Sequence, residues 1–275
     1  MKNGEPIIRL ERVSKSFGPQ RVLDDVSLDI RAGQSTVIIG PSGCGKTVLL
    51  KHIIGLLRPD KGKVFFHEYE VSAMGERALV PVRRRMGFLF QGGALFDSMT
   101  VAENVCFPLE EHGLADEADQ CARCGDALAL VGLEGYEHRL PEELSGGQKK
   151  RVALARAIVL NPEVILYDEP TTGLDPIRAD LINELILRLQ EALGATSVVV
   201  THDMASARKI ADRVVMLNDA RFVVDTTPDK LDKIDNDLVA RFVEGRVSDE
   251  DLAEIERGGE RMKHLADAER IEESG

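Results

Sequence analysis

Eight consecutive residues, Gly40-Pro41-Ser42-Gly43-Cys44-Gly45-Lys46-Thr47, have the types and spacing of a phosphate-binding loop. Gly40, Gly43 and Gly45 lack a Cβ, so the backbone there can take positive φ and turn its N–H groups onto an anion. Lys46 offers a cation to the β- and γ-phosphates of a nucleotide, and the Thr47 hydroxyl is a hard oxygen ligand for Mg²⁺. Further along, Val164-Ile165-Leu166-Tyr167 runs into two carboxylates, Asp168 and Glu169. Asp168, at the carboxyl end of such a strand, can hold Mg²⁺ through water and complete the site begun by Thr47. Glu169 can polarise an attacking water. Between these motifs, Leu144-Ser145-Gly146-Gly147-Gln148 sets two glycines behind a serine and opens a helix at Gln148, which makes a second anion cradle. One nucleotide does not need two cradles from one chain. Two copies facing head to tail would let each close the other's site.

These groups must be held by regular elements, and the hydrophobic pattern says which. An apolar β-branched run, Thr36-Val37-Ile38-Ile39, leads into the loop, and a helical pattern from Val48-Leu49-Leu50 to Ile53-Ile54 leads out. Residues 7–13 and 21–30 alternate as strands do, with a turn at Ser16-Phe17-Gly18-Pro19. Residues 62–66 form another short strand. The run Met86-Gly87-Phe88-Leu89-Phe90 reads as a buried strand ending at Gln91, and Arg83-Arg84-Arg85 before it as a solvated or phosphate-facing edge. From 100 to about 131 the pattern is helical. Strand character returns at 164–167, a helix over 178–193 carries a stripe of Leu181, Leu185, Ile186 and Leu189, and 196–201 is a strand. Apolar strands alternating with helices predict an α/β fold with a mostly parallel sheet covered on both faces. The helical block at 100–160 interrupts it as an inserted subdomain.

Composition bounds the function. The 275 residues are 43% hydrophobic and 30% charged, enough for a sizeable core. A net charge of −12 repels phosphate backbones, so nucleic acid is not an expected partner, and it disfavours direct adhesion to anionic lipid headgroups. No apolar run approaches the roughly 20 residues of a membrane span, and the first residues have no secretory-signal pattern, so a cytoplasmic protein is expected. Four cysteines predict no disulfide framework in such a setting. Cys121 and Cys124 form a lone C-x-x-C within a predicted helix over 116–131, with no second pair to complete a zinc site. Cys44 is a variable loop position, and Cys106 is a core residue. Past Val247 the chain is mostly charged, with Leu252, Ile255, Met262 and Leu265 at helical spacing. Residues 248–275 thus read as a charged tail, either a frayed terminus or a docking helix over 248–265 against the cassette, a second subunit or an accessory cytoplasmic protein.

In combination, the phosphate loop, the LSGGQ stretch and the strand ending in Asp168-Glu169 resemble an ATP-binding cassette (ABC) ATPase, over residues 7 to about 232 of a 1–247 domain. The resemblance implies a P-loop fold with a mostly parallel core sheet, an N-terminal antiparallel β part and the inserted helices. It implies ATP and Mg²⁺ as cofactors and a head-to-tail homodimer, with Ser145, Gly146, Gly147 and Gln148 serving the partner's nucleotide. Phe17 resembles the aromatic that stacks on adenine. Gln91 resembles the glutamine that contacts Mg²⁺ and the water. Asp175 resembles the aspartate that crosses the dimer interface, within Thr172-Gly173-Leu174-Asp175 where serine-alanine-leucine-aspartate is more usual. His202 resembles the switch histidine at the γ-phosphate. A narrower similarity, in Phe90-Gln91-Gly92-Gly93-Ala94-Leu95-Phe96-Asp97-Ser98-Met99-Thr100-Val101, then Glu103-Asn104-Val105 and Phe107-Pro108-Leu109-Glu110-Glu111-His112, is to the ATPases of MCE-type lipid transporters such as the Mla phospholipid systems. It implies a membrane permease with an MCE-type lipid-binding subunit as partners, and a place on the cytoplasmic face of the inner membrane. An amino-acid or other small-solute importer ATPase, or a soluble cassette ATPase acting on DNA or in translation, is the alternative.

Overall fold

The computed structural model describes residues 6–113 and 116–247. The predicted tail over 248–275, docking helix included, lies outside the described residues. The chain divides into one unit through Leu231 and a second from Asp232. In the second, one helix spans Asp237–Glu244, started by the Asn236 side chain, which accepts from the Leu238 and Val239 N–H groups, and ended by Gly245 in the left-handed region.

The first unit is built on two sheets. The antiparallel one has the order β2-β1-β4-β5, from β1 (Pro6–Phe17), β2 (Gln20–Arg31), β4 (Lys61–Phe66) and β5 (Tyr69–Glu70). The alternation in 21–30 is visible as Val26, Leu28 and Ile30 turned into the core, with the residues between them exposed.

The second sheet contains β3 (Ser35–Ile39), β6 (Met86–Leu89), β7 (Val164–Asp168), β8 (Thr196–Thr201), β9 (Arg213–Asn218) and β10 (Arg221–Thr226), in the order β10-β9-β3-β8-β7-β6. All its pairings are parallel except β9 with the edge strand β10. Every residue of β3, β7 and β8 is buried, as continuous β-branched runs require of strands covered on both faces. The mostly parallel sheet expected from sequence is the one found.

Helix α1 (Lys46–Ile53) follows β3, and α2 (Glu76–Arg83) precedes β6. Between β6 and β7 lie α3 (Val101–Glu111), α4 (Glu117–Leu130) and α5 (Gly146–Ile158), packed on one another. Their starts are set locally. Thr100 and Glu103 cap α3 reciprocally, Asp116 caps α4, and Ser145 and Gln148 form the same box on α5. Helix α5 therefore opens at Gly146, two residues before the predicted start. Helix α6 (Pro176–Leu193) connects β7 to β8, and α7 (Met204–Ile210) connects β8 to β9. On α6 the buried stripe is Ile182, Leu185, Ile186 and Leu189, whereas the predicted Leu181 is 46% exposed. Cys106 and Cys124 are buried and Cys121 is exposed; all four cysteines are free.

Candidate active site

The phosphate loop leaves β3 at Gly40 and enters α1 at Gly45, with φ 153° and 108°. Both positions are closed to a side chain. A Cβ on Gly40 would lie 2.2 Å from the Leu217 carbonyl oxygen, and one on Gly45 would lie 2.7 Å from Val22 Cγ1. Neighbouring elements thus press the loop into a curl that only glycine allows. Gly45 caps α1 without a side chain and no acid sits in its first turn, so the N–H groups and positive helix end are left for an anion. Lys46 is 5% exposed; its Nζ donates to Gly40 O at 2.7 Å and Pro41 O at 2.9 Å and lies 3.6 Å from Glu169 Oε1. Burial pushes the Cys44 thiol above its ordinary pKa, which favours its protonated form.

Thr47 and Asp168 meet although they come from α1 and β7: Thr47 Oγ1 donates to Asp168 Oδ1 at 2.8 Å. Burial raises the Asp168 pKa above the usual carboxylate range, with the Thr47 hydrogen bond acting against it. Glu169, the next residue, is held at φ 48°, a left-handed conformation rare for a glutamate, and its N–H bonds Val200 O at 3.0 Å. That turn lifts its carboxylate off the strand line to two partners, Thr172 Oγ1 at 3.1 Å and His202 Nδ1 at 2.9 Å. Lys150 on α5 is a site residue that no motif flagged. Its Nζ donates to Gln91 O and, at 3.4 Å, to Glu169 O, tying the ends of β6 and β7 to α5. Burial lowers its pKa, opposed by Asp168 and Glu169.

A cavity of ≈ 340 Å³ brings Phe17, Gln91, Glu169 and His202 together with Ser42, Gly43, Gly45, Lys46 and Thr47 of the loop. Phe17, at the end of β1, is 46% exposed, with Lys15 Nζ 5.6 Å from its ring centroid. The other predicted residues do not line this cavity. Ser145 caps α5, Gln148 Nε2 donates to Tyr136 OH at 3.2 Å, and Asp175 caps α6 by accepting from Arg178 N at 3.0 Å. Gly146 and Gly147 lie against Leu174 and Arg178, so the LSGGQ loop sits beside the start of α6. The site residues thus fall into two sets, one gathered at the loop and one apart from it.

The donor set fits a nucleoside triphosphate: a glycine cradle, a helix N-terminus and a buried lysine. Thr47 and Asp168 offer hard oxygens, and no group of three or more His, Cys, Asp or Glu among the described residues forms a metal site from protein alone. This suits Mg²⁺, which takes one or two protein ligands and fills its shell with phosphate oxygens and water. No helix among the described residues is long and apolar enough to cross a membrane.

Comparison with known proteins agrees with this geometry. The family model "ABC transporter" matches residues 23–172. The "probable ribonucleotide transport ATP-binding protein mkl" of Mycobacterium leprae (strain TN) is 41% identical over 239 residues, 87% of this chain and 69% of that protein. The "intermembrane phospholipid transport system ATP-binding protein MlaF" of Escherichia coli (strain K12) is 40% identical over 239 residues, 87% of this chain and 89% of that protein. Among solved structures, the ATP-binding cassette MJ0796, as a dimer in a post-hydrolysis state bound to ADP and Pi, superposes with a TM-score of 0.74 at 34% identity. The match covers 80% of this chain and 98% of that one. Matched by the family model over more than half its length and by relatives across 87% of it, the chain belongs to the ABC transporter family, as one of its ATP-hydrolysing cassettes.

Proposed function

We propose that this chain energises phospholipid transport, hydrolysing Mg²⁺-bound ATP at two sites shared by a head-to-tail homodimer. The observation that carries the reading is the Lys46–Glu169–His202 arrangement, a buried cation and a two-point-held carboxylate facing one cavity. In it, the loop amides and Lys46 bind the β- and γ-phosphates, and Phe17 stacks on the adenine. Glu169 orients and polarises the attacking water while His202 contacts the γ-phosphate. Thr47, Asp168 and Gln91 would hold Mg²⁺ and its water. When bound, Mg²⁺ neutralises developing phosphate charge. Catalysis here is positioning and charge stabilisation, with no covalent intermediate on the protein.

The shared site is supported by the stranded second set. Ser145 to Gln148 and Asp175 do not reach the cavity of their own chain, and the solved cassette MJ0796 is described as dimeric. The phospholipid cargo is supported by the MlaF relatives, matched at 40% identity over 89–90% of their length. The mycobacterial relatives named for ribonucleotide transport are as similar but are matched over 67–69% of theirs. The segment around Gln91 supports a permease contact. Phe90 and Phe96 are exposed aromatics, Phe96 packs on Phe107 with centroids 4.8 Å apart, and Asn104 fixes the Phe96 backbone from both sides. An integral membrane permease, with an MCE-type lipid-binding subunit and an accessory cytoplasmic protein, would hold the cassette at the cytoplasmic face of the inner membrane.

The test is to purify the chain with its permease, identify the bound molecule by mass spectrometry and measure ATPase stimulation. Copurified phospholipid and stimulation by phospholipid support the reading. Stimulation by ribonucleotides or another small solute, with no bound lipid, overturns it.

A further inference from the structure

The loops carrying Glu169 and His202 are joined a second time, by hydrogen bonds that centre on Ser206. This residue of α7 is fully buried, and its hydroxyl donates to Asp203 Oδ2 at 2.6 Å. A hydroxyl has one proton, so its remaining contacts are ones it accepts: from Asn183 Nδ2 at 2.9 Å and from Thr171 Oγ1 at 3.4 Å. These partners come from three segments. Asp203 follows His202 directly, Thr171 precedes the Thr172 that holds the Glu169 carboxylate, and Asn183 lies on α6. Thr171 and Asn183 are 5% and 4% exposed.

Both neighbours of His202 are fixed by the same set. Asp203 caps α7, accepting from Ala205 N at 2.9 Å, and its own N–H donates to Thr201 Oγ1 at 3.0 Å. Asn183 Oδ1 is buried with no partner among the described residues, so among the bonds of this cluster the tie to α6 runs through the Asn183 amide N–H alone. An unpaired buried acceptor is costly, which leaves the Asn183 N–H bond to Ser206 as the contact that holds this side chain in the cluster.

We propose that Ser206 is a positioning residue for ATP hydrolysis: its hydroxyl sets His202 against Glu169 by binding the loops that carry them to one another and, through Asn183, to α6. The inference rests on the reading that Glu169 and His202 act at the γ-phosphate. Ser206 touches neither reactant, and its effect is transmitted through Asp203 and Thr171.

The experiment is single-turnover hydrolysis, ATP affinity and thermal melting of four chains: wild type, Ser206→Ala, His202→Ala and the double variant. Ser206→Ala is expected to lower the hydrolysis rate about tenfold while ATP affinity stays within about twofold. On the His202→Ala background the same change should cost less than about twofold, because the group it positions is gone. Asn183→Leu, similar in volume but unable to donate, should lower the rate in the same direction, and it serves where Ser206→Ala is poorly folded. A Ser206→Ala rate equal to wild type, or a loss that multiplies in full onto His202→Ala, overturns the proposal. If His202→Ala itself turns over like wild type, the reading of the site fails instead. If His202→Ala is impaired and Ser206→Ala is not, this inference alone fails.

Discussion

Glu169 Oε2 and His202 Nδ1 lie 2.9 Å apart, although one residue follows β7 and the other follows β8. Adjacent parallel strands bring the two loops together, and the left-handed turn at Glu169 aims the carboxylate across the gap. Replacing Glu169 with Gln keeps the shape and one acceptor but removes the charge that, in the proposed mechanism, orients water. Hydrolysis should fall by about 10²–10⁴ with ATP binding retained. Steady-state ATPase beside a nucleotide titration checks this, and near wild-type turnover would remove Glu169 from the mechanism.

Lys46→Ala should behave differently. It takes away the cation at the loop mouth and leaves the Glu169 carboxylate facing the phosphates without it. Binding and turnover should both fall, as read by isothermal titration and ATPase assay. Unchanged ATP affinity would contradict the assignment.

Asp168 gives a prediction in two opposite directions. Burial raises its pKa, so the folded chain holds the proton more readily than the unfolded chain does. Its contribution to stability without nucleotide therefore declines as pH rises from the usual carboxylate range through the raised folded value, and at neutral pH the buried charge is a cost. Asp168→Asn still accepts from Thr47 and removes that charge. The melting temperature without nucleotide should rise at neutral pH, by roughly 2–4 °C per kcal/mol relieved, and gain nothing from lowering the pH. The extra stabilisation that Mg²⁺ adds to ATP should be lost. A variant that melts lower without nucleotide, yet still responds to Mg²⁺, would refute the role.

Where the chemistry is local the sequence told it directly. The phosphate loop, the Asp168-Glu169 strand end and strand 196–201 are contiguous, and each appears where expected. The stripe on α6 shows the limit. Leu181 and Ile182 are adjacent and both apolar, and only the direction in which the helix meets the sheet leaves Leu181 exposed and Ile182 buried. Strand β10 is hard to read from the sequence, because its alternation is broken by a register shift between Phe222 and Val224. Lys150 and Ser206 carry no motif at all. Their roles arise from contacts between segments far apart in sequence, which no local spacing encodes.

The central claim is that the ATP site is closed by the LSGGQ loop of a second copy. It is tested most directly by the association state of Glu169→Gln with and without a second change, Ser145→Arg, which places a bulky cation in the loop. Sedimentation should show Glu169→Gln as a monomer without nucleotide and as a dimer with ATP, because the closed state cannot be hydrolysed open. The double variant should bind ATP and remain a monomer. A double variant that dimerises with ATP as fully as Glu169→Gln would contradict the shared site.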